Sequence, residues 1–110
     1  MCNPQLNENN FERVIKLLGL AARARKLVYG TPMVCEALQK GKNVYFVFRA
    51  SGVAENTRKR LNDKCLYYKV QLIDVPLDTA EFARRLGKDG DIAAVALTDV
   101  SFAEGIQKLL

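Results

Sequence analysis

Val44-Tyr45-Phe46-Val47-Phe48 is an unbroken run of β-branched and aromatic residues. With no polar position in it, the run reads as a strand covered on both faces. Arg49-Ala50-Ser51-Gly52 reads as the break after that strand. A helix is expected over about 54–67, carrying Arg58-Lys59-Arg60 and Lys64. Val70-Gln71-Leu72-Ile73-Asp74-Val75 reads as a further strand, which Pro76 closes. Asp78 then starts a helix through Ala80, Phe82 and Ala83. Residues 86–91 read as a loop, with Asp89-Gly90 as its turn signal. Ile92-Ala93-Ala94-Val95-Ala96-Leu97 is another buried strand. Thr98 or Asp99 caps a last helix that sets Phe102, Ile106, Leu109 and Leu110 on one side.

Upstream of the run, Asn9 with Glu12 has the form of a capping box. Phe11, Val14, Ile15, Leu18 and Ala21 or Ala22 follow at helical spacing. Leu17, Leu20 and Ala24 widen that face and predict a well-buried helix, with Arg13, Lys16 and Arg23 opposite. Gly19 inside the pattern predicts a close helix contact. Residues 1–8 read as a flexible leader and residues 9–110 as a single domain. Helices alternating with short apolar strands give an α/β class: a three-layer α-β-α sandwich with a small mixed sheet of about four strands.

Composition excludes several functions. At 110 residues the chain can bury one core unaided, and 49% apolar content excludes intrinsic disorder. No apolar run approaches the ~20 residues that span a bilayer. The polar start, Met1-Cys2-Asn3-Pro4-Gln5, has no signal-peptide pattern, so a cytoplasmic location is expected. Cys2, Cys35 and Cys65 are an odd, scattered set, neither a disulfide framework nor a metal knuckle. With no histidine, the commonest general base is absent. Asp89 and Asp91 sit on a turn beside Lys88, a solvated loop rather than a catalytic pair. No enzyme activity, cofactor or metal is therefore expected. The net charge of +5 is uneven, since only Lys108 among the cations lies beyond Lys88. Such a balance favours an anionic partner.

Gly30-Thr31-Pro32 is where that partner is expected to dock. Thr31 is read as the cap of a helix and Pro32 as its first residue. Val34, Ala37 and Leu38 give the helix a buried face, and Lys40-Gly41 ends it. A helix N-terminus attracts phosphate through free N–H groups and the helix dipole. Here it follows Arg23-Ala24-Arg25-Lys26. Tyr67-Tyr68 either stacks on bases or covers the core at a helix end.

The chain resembles the ribosomal protein L7Ae/L30e family, whose members bind kink-turn RNA, and looks closest to the small bacterial ribosomal-protein-like members. The resemblance is carried by Leu18-Gly19-Leu20-Ala21, then Arg23-Ala24-Arg25-Lys26-Leu27-Val28 and Gly30. It continues through Asn56-Thr57, Asp63-Lys64-Cys65, Tyr67-Tyr68 and Val70. It ends with Leu86-Gly87-Lys88, Ala94-Val95-Ala96-Leu97-Thr98-Asp99 and Phe102-Ala103. The resemblance implies an α-β-α sandwich in which the start of the second helix enters the RNA groove at the kink. An Asn and a Glu after the glycine then read sheared G·A pairs, and a Lys one turn later assists. A loop before the last strand covers a flipped-out nucleotide.

Position by position, Pro32 stands where Asn is expected, Met33 where Glu is and Glu36 where Lys is. Arg23, Arg25, Lys26, Gly30, Thr31 and Lys40 would hold RNA backbone. Pro32 and Met33 lie at the reading position, and Arg84, Leu86, Gly87 and Lys88 would cover an unpaired nucleotide. The implied partner of such a monomer is structured RNA, ribosomal RNA or a messenger leader, or the ribosome itself, with a role in translation and no membrane. The alternative is a protein-interaction module on the ribosome or a translation factor that has lost kink-turn reading.

Overall fold

The computed structural model describes residues 8–110. Five helices and four strands follow in the order α1 (Glu8–Arg23), β1 (Leu27–Tyr29), α2 (Thr31–Gln39), β2 (Phe46–Arg49), α3 (Glu55–Tyr68), β3 (Gln71–Asp74), α4 (Thr79–Arg85), β4 (Ala94–Leu97) and α5 (Val100–Gln107). The strands form one mixed sheet in the order β1-β4-β2-β3. β4 runs antiparallel to β1 and β2, and β2 runs parallel to β3. The fold is the α-β-α sandwich expected from the sequence.

Strand alternation builds the two cores. Phe46, Phe48, Ile73, Val95 and Leu97 face α1, α4 and α5. Val47, Leu72, Ala94 and Ala96 face α2 and α3. The second face is the one with small residues on β4. Cys35 and Cys65 are buried there as free thiols. Burial, with Cys35 adding to it, pushes the Cys65 thiol up to about 12. Tyr68 packs against this second core while Tyr67 stands exposed.

Several boundaries move from their sequence expectation for backbone reasons. The Val44 N–H turns onto the Lys42 carbonyl (2.8 Å), so β2 begins at Phe46. The Val70 N–H closes the end of α3 on the Cys65 carbonyl (2.9 Å), so β3 begins at Gln71. The Ile92 N–H goes to the Thr79 carbonyl (3.0 Å), which ties Ile92 to the start of α4, and β4 begins at Ala94. Residues 1–7 lie outside the described residues, but Glu8, assigned to the leader from sequence, is already helical. Asn9 is therefore within α1 rather than ahead of it, and Glu12 reaches Arg85 at 2.8 Å. Asp78 and Asp99 cap α4 and α5 through the N–H groups of Glu81 (2.8 Å) and Phe102 (3.0 Å).

Arg49 is the main correction. Read as part of a break, it is the last residue of β2 and only 1% exposed. Its guanidinium donates to both oxygens of Asp74 on β3 (2.6 and 2.9 Å). It also donates to the Arg58 carbonyl (3.1 Å) and to Asn62 Oδ1 (3.0 Å) on α3. A buried charge is tolerated only when paired and hydrogen-bonded, and here one side chain joins two strands and a helix. The pair is asymmetric, because the Asp74 side chain keeps 40% of its exposure.

That asymmetry sets a prediction. Asp74→Ala leaves a dry, uncompensated cation and is expected to cost about 3–5 kcal/mol in urea unfolding. Arg49→Met leaves a carboxylate that water can reach, so its loss should be clearly smaller. Equal losses would mean that the Asp74 carboxylate is as dry as the guanidinium.

Candidate nucleic-acid interface

Gly30 sets the start of α2. Its φ of 89° is open to glycine and strained for other residues, which is why it occupies the cap position in place of Thr31. Its N–H is fixed to the Ala94 carbonyl and its own carbonyl accepts from Val34, both at 2.9 Å. Thr31 is the first helical residue, and Pro32 is the second rather than the first. Pro32 sacrifices no helical bond, because that position has no intrahelical acceptor in any case. The N–H groups of Thr31 and Met33 are left without a partner among the described residues. The Thr31 hydroxyl, expected as a cap, and the Tyr29 hydroxyl are both buried without a hydrogen bond. Burial also raises the Tyr29 phenol above its ordinary pKa.

The loop after α4 lies beside this helix start. Lys88 Nζ stands 4.8 Å from the centre of the Tyr29 ring, a cation over an aromatic face. Gly87 (φ 75°) ends α4, its N–H going to the Arg84 carbonyl and that of Lys88 to the Ala83 carbonyl. Gly30–Met33 and Gly87–Lys88 thus form one end of the sheet.

The other expected contacts are distributed differently. Lys26 is at the far end of β1, about 13 Å from Gly30 at the rise of an extended strand. Its carbonyl is held there by the Thr98 N–H (3.0 Å) and hydroxyl (2.9 Å). Arg25, exposed, has a left-handed φ of 61° where α1 closes. Lys40 lies beyond the opposite end of α2 and pairs with Glu36 at 2.6 Å. Its hydrogen bond and charge hold the Glu36 carboxyl below the ordinary range. Leu86 is 5% exposed and belongs to the core, whereas Gly87 and Lys88 beside it are exposed.

A groove opens between α1 and the end of α4, with a volume of about 720 Å³. It brings Arg23, Arg84, Leu86, Gly87 and Lys88 together with Lys16, Gly19, Leu20, Ala22 and Arg85, which the sequence did not single out for the site. Lys16, Gly19-Leu20 and Arg23 recur at helical spacing, the signal that could have found this wall. Leu20 is 52% exposed rather than buried, so the wide buried face expected of α1 is narrower. Gly19 is not a packing glycine, because a methyl built there meets nothing within 4 Å. Arg84 is held by Glu81, whose hydrogen bond raises its pKa, and Arg85 by Glu12. Lys16, Arg23 and Lys88 have no acidic partner among the described residues.

The profile of the ribosomal protein L7Ae/L30e/S12e/Gadd45 family matches residues 12–106. The chain belongs to this family. It is 31% identical over 105 residues to an Enterococcus faecium protein named RNA-binding protein YlxQ, covering 96% of this chain and 98% of that one. A Bacillus subtilis (strain 168) protein of the same name is 38% identical over 94 residues, covering 86% and 91%. A solved structure of a protein with unknown function from Bacillus halodurans C superposes with a TM-score of 0.78 at 33% identity, covering 87% of this chain and 94% of that one. No helix among the described residues is long and apolar enough to cross a membrane, and they contain no cluster of metal-ligating side chains.

The open wall at Gly19 is testable on the free protein. Gly19→Ala should raise the unfolding free energy by about 0.5–1 kcal/mol through helix propensity alone. A destabilised variant would show that the helix surface there is occupied.

Proposed function

We propose that the protein is a non-enzymatic RNA-binding protein that docks structured, kink-turn-like RNA on the sheet end formed by the start of α2 and the loop before β4. The observation that carries the reading is the pair of unpartnered N–H groups, Thr31 and Met33, at a helix N-terminus flanked by the Lys88 cation. Backbone N–H groups, the helix dipole and lysine are the donors that phosphate takes. Family membership and the names of the relatives support the same partner. Arg23, Arg25 and Lys26 add a second group of cations at the far end of β1, between α1 and the strand. Lys40, tied to Glu36 at the far end of α2, contributes less.

Pro32, with no amide, and Met33, with no strong acceptor, leave the reading of G·A pairs without its usual side chains. The RNA is then held chiefly by its backbone and its shape. The partner is ribosomal RNA or a messenger leader, met by a monomer in the cytoplasm as part of translation. The second reading, a protein-interaction module, is favoured by Leu66 and Tyr67, which stand 78% and 77% exposed on α3.

Titration of a kink-turn RNA and of a duplex lacking the G·A pairs, at two salt concentrations, tests the reading. Log affinity should fall steeply with log salt for both, as it does when several phosphates are neutralised. Lys88→Glu should weaken both RNAs and reduce the salt slope by about one. Pro32→Asn with Met33→Glu should widen the preference for the kink-turn. Salt-independent binding, or none, would turn the assignment to the protein-interaction reading.

A further inference from the structure

We infer that the end of the sheet opposite Gly30 is a second RNA-binding surface, which holds the phosphate backbone of an unpaired segment while the start of α2 docks the structured element. That its ligand is RNA rests on the RNA-binding reading. The surface itself is defined by strand register and by the way the helices end.

Leu27, Leu97, Phe46 and Gln71 form one row across all four strands. The chain continues past that row at Lys26, Thr98, Tyr45 and Val70, so the turns closing α1, α2 and α3 all lie at this end. Those turns and the connection into α5 carry Arg25, Lys26, Lys40, Lys42 and Lys69 against Asp99. Asp99 is taken by the Phe102 N–H, and Lys40 by Glu36. Arg25, Lys26, Lys42 and Lys69 are exposed and form no ion pair among the described residues. The connections at the Gly30 end carry Lys88 against Asp78, Asp89 and Asp91. The free positive charge of the loops is therefore concentrated away from the start of α2. Three strand spacings set Lys26 and Val70 roughly 14 Å apart, a width that suits a run of phosphates rather than one.

The backbone at two of these cations carries the argument. α1, α2, α3 and α4 end in the same pair of hydrogen bonds, one N–H reaching three residues back and the next N–H reaching five. The first residue of each pair has a left-handed φ, and it is Gly41 after α2 (70°) and Gly87 after α4 (75°). After α1 it is Arg25 (61°) and after α3 it is Lys69 (59°), the two non-glycine residues with positive φ among the described residues. Glycine is unstrained in this conformation and a side chain is not. The helix dipole does not account for the choice, because it favours a cation anywhere in the last turn, where α1 already has Arg23. Both strained positions hold a cation, and both lie at the same end of the sheet. Strain retained at such positions points to use.

The class of ligand follows from the side chains. Three of the four unpaired cations are lysines, point charges that take phosphate without the bidentate fit that arginine gives a carboxylate. Tyr45, 36% exposed, stands in the row between Lys26 and Val70. Cations around an exposed aromatic residue hold single strands without sequence reading, whereas the bases of a duplex are already stacked on one another.

The test uses the full chain, a kink-turn RNA, dodecauridylate and dodecaglutamate. Dodecauridylate added to the kink-turn complex should shift the amides of Arg25, Lys26, Tyr45 and Lys69 and leave Gly30, Thr31 and Met33 at their bound positions. Arg25→Gly with Lys69→Gly should lower the salt slope for dodecauridylate by about 1.4, the value for two phosphates of a single strand. The same double variant should keep or raise Tm and leave the kink-turn shifts at Gly30, Thr31 and Met33 in place. Dodecauridylate that leaves Arg25 and Lys69 unshifted, or an unchanged salt slope in the double variant, overturns the inference. A fall in Tm with dodecauridylate binding intact also overturns it, since the cations would then serve the helix ends. So does dodecaglutamate that shifts those amides when dodecauridylate does not. A kink-turn RNA that fails to move Gly30, Thr31 and Met33, with the dodecauridylate shifts intact in the free protein, would remove the α2 docking site and leave this surface standing.

Discussion

A single guanidinium removed from water organises this fold. Arg49 is the one charged residue buried among the described residues, and it is stable there only because Asp74, the Arg58 carbonyl and Asn62 all accept from it. Those partners lie on β3 and α3, so the parallel pair β2–β3 and the helix joining it are locked at one point. Arg49 also pairs in register with Ala94, whose carbonyl receives the Gly30 N–H. The start of α2 is thereby referenced to the most constrained part of the sheet. A helix N-terminus that binds by geometry needs such a fixed base.

The two faces of the sheet divide the work. Large side chains on one face fill the space under α1, α4 and α5, while Ala94 and Ala96 present small surfaces to α2 and α3. The sheet end near Gly30 then offers main-chain donors and a lysine rather than a set of base-reading side chains. With Pro32 and Met33 at the positions where the family resemblance places readers, the available chemistry is that of phosphate. Affinity through backbone and shape is compatible with a retained scaffold and a relaxed sequence requirement.

Much of this was legible in the sequence because hydrophobic period and turn chemistry are local. The apolar runs marked β2, β3 and β4, Asp78 marked a cap, and Gly41 marked a helix end. Arg49 was misread because an arginine after an apolar run looks like a strand end, and its acceptors lie from 9 to 25 residues away. The basic run at 23–26 looked adjacent to Gly30, but an extended β1 places Lys26 at the other end of the strand. Leu86 was placed in the nucleotide-covering loop by the family resemblance, which works position by position and does not show that this side chain turns into the core. The groove was invisible because it is made by residues about 65 positions apart, and Gly19 signals open space only once its surroundings are known.

The most direct measurement is the backbone amide spectrum of the labelled protein as a kink-turn RNA is added at low salt. The central claim is that main-chain donors at the start of α2 and the loop before β4 carry the docking. We expect the largest shifts at Gly30, Thr31, Met33, Gly87 and Lys88, with those at Leu66 and Tyr67 unchanged. Shifts concentrated at Leu66 and Tyr67, with Thr31 and Met33 unmoved, would contradict it and place the working surface on α3.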